Sequence, residues 1–406
     1  MGIISFFFGY YNTVLKKNEY FFAIFGAAVD KRGKWRYNRR EVKNMDIYKQ
    51  PWRLVQNRIR GKGGREIDKH RGIFPPLDDG SGSEAWIGSV TRVENPPAHK
   101  PNYGCSEVIL PDGRRMYLFE AIELSPKRVL GEKHMGQNGS GMGMLIKYLD
   151  AKAQYGLQCH PTREWAKKMW GSDYGKEESW YVIGTRDDTR EPAYILLGFK
   201  EEVTGEEWER HYRKNDIAAL ENLCHKIQVK AGETYFVGGG TPHALGEGCF
   251  VVEVQEPSDI TLGAHTYEHI RKGRYIDPAE KRAYDERLLG AYIYDGCSFE
   301  ENLRRWRIPR KTARFGEWGK EEILIGANQT KFFSLTELAV NGSAEIADTG
   351  FPKVAVALSG EGKIVFEGGE MKIKRGDEIF LPFDAKASVA GNMVVALCHP
   401  EGAVCM

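Results

Sequence analysis

Short apolar runs separated by Gly, Pro and Asp constrain the fold of this 406-residue chain more than any other feature. The runs have the length of strands and are too short for typical helices. Turn residues bound them at close spacing, as in an antiparallel sandwich or barrel. The pattern predicts a mainly β protein and is clearest in EAWIGSV (84–90), SWYVIGT (179–185), AYILLGF (193–199), CFVVEVQ (249–255) and EIFLP (378–382).

Helices are predicted in two segments, at about residues 200–228 and 278–307. Each segment contains the S/T-x-x-E spacing of a capping box, beginning at Thr204 in the first and at Ser298 in the second. The stretch DIAALENLCHKI (216–227) also places apolar residues at helical intervals. We therefore expect a helical insertion in or beside the first β domain.

An internal repeat predicts two related β domains. Lys230–Val237 and Lys374–Leu381 each place a Gly two residues after a Lys, follow it with an acid and continue into an apolar strand. Two copies of one β unit indicate two similar domains. We expect the first, catalytic domain to span residues 45–310 and the second to span residues 311–406.

The two copies differ at the position where a metal ligand is expected. The turn AGETYFVGGGTPH (231–243) resembles the second cupin motif, in which Gly residues permit a tight turn and a His enters a barrel. His243 lies eleven residues after Gly232, whereas Ala387 takes the equivalent place in the second copy. The sequence predicts two cupin (jelly-roll) barrels, of which only the first binds metal and the second serves packing.

The first 44 residues differ from the rest of the chain. Their apolar start, MGIISFFFGYY, is interrupted by Lys16, Lys17 and Glu19 before it reaches the roughly 20 apolar residues of a membrane span. No basic segment precedes it, as one would in a secretory signal. We interpret residues 1–44 as a non-native or disordered extension and expect the native protein to begin at Met45.

Composition narrows the function to small-molecule chemistry. The 58 Lys and Arg residues balance 56 Asp and Glu residues, and no basic stripe with interleaved aromatics occurs, which argues against nucleic-acid binding. The seven cysteines are scattered and form no CxxC pair, which argues against a disulfide framework or a zinc knuckle. We expect a cytoplasmic protein that does not bind membranes.

Four polar side chains are expected to form a metal site. In YGLQCHP, strand alternation would turn Gln158 and His160 to one face and Cys159 to the other. Glu178 opens a later strand, and His243 follows the glycine-rich turn. One amide, one carboxylate and two imidazoles with open positions suit a catalytic zinc ion, one per chain, although Mn, Co or Fe would also be tolerated.

The chain resembles the class I (type I) mannose-6-phosphate isomerases, a zinc-dependent cupin family, over about residues 50–400. In that family the zinc ligands fall in a Q-x-H strand, in the Glu of a K-x-E segment and in the His of a P-H-A turn. The resemblance thus implies the same four ligands. It rests on four separated segments in the family's order, namely GSEAWIGS, LIKYLDAKAQYGLQCHP, YGKEESWYVIGT and VGGGTPHALGEGCFVVEVQEPSD.

The resemblance implies an aldose-ketose exchange between mannose 6-phosphate and fructose 6-phosphate through a cis-enediol. This reaction needs a base beside the carbonyl and positive charge for the oxyanion. Lys176, two residues before Glu178, is a candidate for the positive charge. Glu253 is a candidate catalytic carboxylate, because it interrupts an apolar strand.

The sequence departs from the family at two positions. Gly263 stands where the family usually has an Arg implicated in catalysis and sugar-phosphate binding, and Gly156 replaces a typical Ser. Losing one preorganised donor costs about 10²- to 10³-fold in rate. We expect Arg271, with Lys272 and Arg274, to supply the missing cation.

These departures leave two other functions open. One is a metal cupin that acts on a different or unphosphorylated sugar, or, less in keeping with the motifs, an oxygenase. The other is a sugar-binding or structural relative that keeps the metal without turnover. Metal analysis and proton exchange at C2 of mannose 6-phosphate would separate the three.

Overall fold

The computed structural model describes residues 46–76, 78–80, 82–94, 100–271 and 275–400, together with the backbone of two short strands nearer the N-terminus. The chain divides into two compact units, Met1–Ile47 and Tyr48–Met406. In the first unit, β1 (Ala28–Val29) and β2 (Trp35–Arg36) pair antiparallel. Most of the predicted extension, residues 1–44, lies outside the described residues.

The second unit is mainly β, as predicted. Its strands are β3 (Trp52–Leu54), β4 (Glu84–Ile87), β5 (Glu107–Ile109), β6 (Arg115–Tyr117), β7 (Leu145–Asp150), β8 (Gln158–Cys159), β9 (Glu178–Thr185), β10 (Tyr194–Phe199), β11 (Cys224–Gln228), β12 (Thr234–Val237), β13 (His243–Leu245), β14 (Cys249–Gln255), β15 (Leu262–Gly263), β16 (Arg307–Ile308), β17 (Lys311–Gly316), β18 (Gly319–Ile325), β19 (Phe333–Glu345), β20 (Lys353–Phe366), β21 (Gly369–Lys374), β22 (Glu378–Leu381) and β23 (Ala387–Pro400).

Helices lie between the strands, mostly in the first two thirds of the chain. They are α1 (Arg65–Arg71), α2 (Leu118–Leu124), α3 (Pro126–Leu130), α4 (Glu132–Asn138), α5 (Arg163–Trp170), α6 (Gly205–Arg213), α7 (Ile217–Asn222), α8 (Tyr267–Ile270), α9 (Pro278–Leu289) and α10 (Phe299–Trp306), with a short 3-10 helix at Ile47–Lys49. Within the described part of the chain, none of them combines the length and apolar character of a membrane span.

Two sheets built from the middle of the chain enclose one apolar core. The five-stranded sheet has the order β11-β10-β13-β8-β15, and the six-stranded sheet has the order β16-β12-β9-β14-β7-β4. Alternate residues of both sheets meet between them, among them Ile195 and Leu197 from the first and Val182 and Val251 from the second. The other face of the five-stranded sheet is covered by helices, as Trp208 of α6 shows.

A third sheet of ten strands includes all the strands after residue 310. Its order is β17-β18-β19-β23-β20-β22-β3-β5-β6, and β21 pairs with β20. The expected boundary at residue 310 is therefore crossed, because Trp52 of β3 pairs with Phe380 of β22 and extends the sheet with strands from the start of the unit. Sequence spacing along the chain does not reveal such long-range pairing.

The internal repeat corresponds to the same turn in both copies. Gly232 and Gly376 have φ values of 96° and 85°, in the left-handed region that favours glycine. In each copy the amide of the preceding Lys donates to the following acid, from Lys230 to Glu233 Oε2 and from Lys374 to Asp377 Oδ2, both at 2.9 Å. Each turn then leads into a buried strand, β12 or β22.

The predicted helices form in part. The hydroxyl of Thr204 accepts from the amide of Glu207, and Ser298 caps α10 in the same way. The prediction of a helix through residue 227 was wrong at its end, because α7 ends at Asn222 and β11 begins at Cys224. Pairing of β11 with the edge of β10 outweighs the local helical pattern there.

Candidate metal centre

The Q-x-H stretch lies one strand in from the edge of the five-stranded sheet. Gln158 of β8 pairs with His243 of β13 on one side and with Gly263 of β15 on the other. The alternation predicted for this stretch is present, since Cys159 joins the apolar cluster under the helices while His160 is buried on the opposite face. Strand pairing thus brings distant parts of the chain to one place.

Three predicted ligands meet in the interior. His160, Glu178 and His243 are buried, and one ligand atom from each lies within 4.8 Å of the others. His160 Nε2 is 3.2 Å from Glu178 Oε2, and His243 Nε2 is 3.4 Å from Glu178 Oε1. Ligand bonds of about 2 Å to a common ion are compatible with this spacing.

Both imidazoles turn the same nitrogen inward. Nδ1 of His160 lies 3.1 Å from the carbonyl of Ile260, and Nδ1 of His243 lies 2.9 Å from that of Thr241. A carbonyl accepts, so each Nδ1 carries the proton and each Nε2 keeps a lone pair, with Lys176 Nζ beside that of His160 and the Gln158 amide nitrogen beside that of His243. In metal-binding histidines, a hydrogen bond from the ring nitrogen that does not bind the metal fixes the orientation of the ring.

The burial of the Glu178 carboxylate indicates that a bound cation would stabilise it. It is 1% exposed, and neither oxygen has a hydrogen-bond partner among the described residues. Burial alone would raise its pKa, but Lys176 and His160 hold that pKa well below its usual value. A buried carboxylate without hydrogen bonds is costly, and a bound divalent ion would offset the cost. The residues therefore fit a metal.

Gln158 and Lys176 complete the surroundings of the three ligands. The Gln158 amide nitrogen lies 3.3 Å from His243 Nε2, so the amide would have to turn its oxygen inward to act as a ligand. Lys176 Nζ lies 2.8 Å from His160 Nε2 and 3.3 Å from Glu178 Oε2. Burial and this ammonium lower the pKa of His160 to about 3, which keeps the ring neutral.

A cavity of about 210 Å³ is lined by Gln158 and Lys176, the two residues that flank the three ligands. Its polar wall includes Arg60, Glu84, Gln158, Lys147, Lys176 and Glu253. A mixture of cations and carboxylates around one space can both bind a polar ligand and move protons.

Glu253, the candidate catalytic carboxylate of β14, lines this cavity. Trp180 Nε1 donates to Glu253 Oε1 at 3.2 Å, and Lys147 Nζ lies 2.7 Å from Glu253 Oε2. Burial raises the pKa of Glu253, although Lys147 opposes the shift. A carboxyl group with a raised pKa is better matched to proton transfer near neutral pH.

Four polar residues of this site, Glu84, Lys147, Arg60 and Asp259, were missed by the sequence reasoning. Lys147 interrupts the apolar run of β7, a signal equal to the one that marked Glu253. Arg60 and Asp259 lie in irregular segments and carry no such signal, yet they form a bidentate pair at 2.6 and 2.9 Å. Burial alone would raise the pKa of Asp259, but Arg60 lowers it to about 2.

The predicted Arg271 lies away from this wall. It is absent from the described residues that line the cavity. Its guanidinium carbon lies 5.8 Å from the ring of Tyr267, one turn earlier in the chain. Lys272 and Arg274, predicted to act with it, lie outside the described residues.

Comparison with known proteins agrees with this architecture. A family model described as mannose-6-phosphate isomerase, cupin domain, matches residues 326–400. The probable mannose-6-phosphate isomerase GmuF of Bacillus subtilis (strain 168) is 28% identical over 268 residues, which is 65% of this chain and 76% of that protein. Mannose-6-phosphate isomerase of Streptococcus mutans serotype c is 27% identical over 261 residues, 63% of this chain and 73% of that one.

A solved structure is similar over most of the chain. The crystal structure of mannose 6-phosphate isomerase from Bacillus subtilis superposes with a TM-score of 0.66 and 22% identity, covering 86% of this chain and 99% of that one. The fold, the family model and the curated relatives agree with the motifs found in the sequence. The chain is therefore similar to the type I mannose-6-phosphate isomerases in motifs and fold, and its residues 326–400 match the cupin domain of that family.

Proposed function

We propose that the chain is an isomerase that interconverts mannose 6-phosphate and fructose 6-phosphate. The observation that carries the proposal is the buried Glu178 carboxylate, which has no hydrogen-bond partner in the described part of the chain and lies near two imidazole nitrogens beside a cavity with its own acid and cations. Relatives that bear the name mannose-6-phosphate isomerase supply the substrate. A sugar phosphate is thus the proposed partner.

Gln158, His160, Glu178 and His243 would hold one divalent ion, which we assign as zinc. When bound, the ion would polarise the substrate carbonyl and stabilise negative charge on oxygen. The neutral state of both imidazoles and the ionised state of Glu178 leave all three side chains ready to act as ligands.

Glu253 is the proposed base. Its carboxylate would take the proton from C2 of the aldose and return it to C1, while a proton moves from O2 to O1, so that aldose and ketose differ by no atoms. Lys147, 2.7 Å from Glu253, would hold the carboxylate in place and keep it ionised when substrate arrives. Lys176 would donate a hydrogen bond to the substrate oxygen that gains charge.

The test is interconversion of the two sugar phosphates by zinc-loaded protein. We expect turnover by the wild type and loss of about 10²- to 10⁴-fold in Glu253→Gln, the usual contribution of a general base, with zinc content unchanged. Glu209→Gln is the matched control, because Glu209 is an exposed acid on α6 that pairs with Arg213. Zinc-bound wild type that isomerises neither sugar phosphate would refute the proposal.

A second function is favoured by one observation at Gly263. Nothing among the described residues lies within 4 Å of a Cβ placed there, so the space is open where the family resemblance predicted an Arg. The open space suits an isomerase that acts on an unphosphorylated or larger sugar. Turnover of mannose without turnover of mannose 6-phosphate would select this function.

We also propose that the protein works in the cytoplasm. The cysteines that the structure describes are all free, which is the usual state in a reducing compartment. Fractionation of the native cells, with antibody detection, tests the location; recovery from an oxidising compartment would contradict it.

A further inference from the structure

Glu256 lies where segments of the candidate metal centre meet. It directly follows β14, three positions after the proposed base Glu253, and its side chain is buried. Its amide donates to the carbonyl of Glu177 at 3.0 Å, and its Oε1 accepts from the amide of Glu177 at 3.2 Å. Glu177 stands between Lys176 and Glu178 in the chain. Glu256 thus fixes the backbone between the proposed hydrogen-bond donor and a proposed ligand.

The second carboxylate oxygen of Glu256 contacts the segment that follows His160. Arg163, the first residue of α5 and three positions after His160, donates from Nε to Glu256 Oε2 at 2.6 Å. Burial raises the pKa of Glu256, although this guanidinium opposes the shift. A hydrogen bond between ionised groups is stronger than a neutral one, so the contact holds the two segments firmly. One buried carboxylate therefore connects the segments that carry His160, Glu178 and Glu253.

The backbones of two of these segments pack without space for a side chain between them. A Cβ at Gly175 would lie 2.6 Å from the amide nitrogen of Arg163 and 2.7 Å from the carbonyl oxygen of Pro161. The amide of Lys176 donates to that same carbonyl at 3.0 Å. Lys176 Nζ in turn lies 2.8 Å from His160 Nε2, and a contact of this length depends on where the two backbones lie. A shift of either segment would therefore change the geometry at the ligands.

We infer that Glu256 is a positioning residue of the metal site, whose carboxylate sets the place of Lys176 and Glu178 relative to His160. The inference rests on the proposed function and adds to it a residue that lies outside the described lining of the cavity. Stability alone is a weak explanation for the pair with Arg163, because apolar side chains can often replace a buried ion pair without loss of stability. A role in geometry explains it better, since the carboxylate holds two segments at once.

The experiment compares Glu256→Met and Glu256→Gln with wild type after loading with Co²⁺, whose visible absorption depends on the arrangement of its ligands. We expect Glu256→Met to alter the cobalt spectrum and to weaken cobalt binding by about 10- to 100-fold, as loss of a group that orients a ligand does. The kcat of its zinc-loaded form on mannose 6-phosphate should fall by about 100-fold, the effect of a displacement of about 1 Å, while KM changes less. Glu256→Gln keeps an acceptor for the amide of Glu177 and should lose less in each measurement.

Glu321→Met is the matched control. Glu321 is also a buried acid with both oxygens engaged, one by Arg314 Nε at 2.5 Å and the other by the hydroxyl of Thr336 at 3.0 Å. It lies on β18 in the ten-stranded sheet, away from the strands that carry the proposed ligands. This variant should lose stability in urea denaturation but keep the wild-type cobalt spectrum and kcat.

A double variant, Arg163→Met with Glu256→Met, separates positioning from folding because it leaves neither charge of the pair behind. We expect its melting temperature to stay close to that of wild type and its cobalt spectrum to change as in Glu256→Met. A wild-type spectrum and kcat in Glu256→Met would overturn the inference, since Glu256 would then serve stability only, and so would the same spectral change in Glu321→Met. If the wild type binds cobalt but isomerises no sugar, the proposed function fails, and the spectra still decide the role of Glu256.

Discussion

Glu178→Gln tests the candidate metal centre without relying on catalysis. The change removes one negative charge and keeps the size of the side chain. In the structure the carboxylate oxygens lie 3.2, 3.3 and 3.4 Å from nitrogens of His160, Lys176 and His243. If these groups hold a zinc ion, the ion should stabilise the folded wild type and should stabilise the variant much less.

The expected effect follows from linkage between binding and folding. A ligand at about 1,000 times its Kd stabilises the folded state by about 4.1 kcal/mol. Loss of a hydrogen-bonded partner of a ligand weakens metal binding by about 10- to 100-fold, and loss of a direct ligand should weaken it by at least the upper figure. At that same zinc concentration, about 1.4 kcal/mol of stabilisation would remain in Glu178→Gln.

For each variant, the stability of the zinc-free protein is the reference for the stability of the zinc-loaded protein. Metal-free Glu178→Gln also leaves the buried Lys176 ammonium without its carboxylate, a loss of about 3 to 5 kcal/mol for buried pairs. Comparing urea denaturation with and without zinc removes this contribution from the difference. The nine tryptophans provide a fluorescence signal.

Glu209→Gln is the control, since it makes the same chemical change at an exposed helical position. It should gain as much stability from zinc as the wild type does. An equal gain in Glu178→Gln would refute the assignment of Glu178 as a ligand.

Three further predictions concern protonation and packing. Because burial raises the pKa of Glu253, kcat/KM should fall with decreasing pH through a pKa above the usual value for Glu, and the residual activity of Glu253→Gln should lack this fall; an unchanged profile would contradict its role. Burial lowers the pKa of His399 to about 3, and neither ring nitrogen has a hydrogen-bond partner among the described residues. The unfolded state therefore binds a proton below the usual His pKa that the folded state does not bind, and stability is lost as pH falls: about 2 kcal/mol from this residue between about pH 7 and 5. His399→Leu should remove that part of the pH dependence in urea denaturation, and an unaltered slope would contradict the explanation. Gly246→Ala should destabilise the protein by at least about 1 kcal/mol, because its Cβ would lie 2.1 Å from the carbonyl oxygen of Tyr194; a melting temperature equal to wild type would contradict the packing.

The sequence could predict the parts of the fold that depend on local pattern. Short apolar runs predicted strands, the caps at Thr204 and Ser298 predicted helix starts, and the repeat at Gly232 predicted a shared turn. The sequence did not predict which distant segments pair. The strand at Trp52 joins a sheet formed mostly by residues after 310, and no local signal specifies that partner.

The same difference between local pattern and long-range contact explains which residues of the site were predicted. Gln158, His160, Glu178 and His243 were predicted as ligands because each belongs to a motif with a fixed spacing, and their side chains lie close together. Arg60 could not be found, since its place in the cavity depends on a contact with Asp259 across 199 residues. Nearness in sequence to Gly263 favoured Arg271 instead, but α8 carries that side chain to Tyr267.

The most direct test of the account is the fate of solvent deuterium during turnover. Zinc-loaded protein is incubated with mannose 6-phosphate in deuterium oxide, and both sugars are followed by nuclear magnetic resonance. We predict fructose 6-phosphate that carries deuterium at C1, together with exchange at C2 of the remaining substrate, and both at least about 100-fold slower in Glu253→Gln. Protein that binds zinc through the four ligands yet gives no product and no exchange would contradict the account.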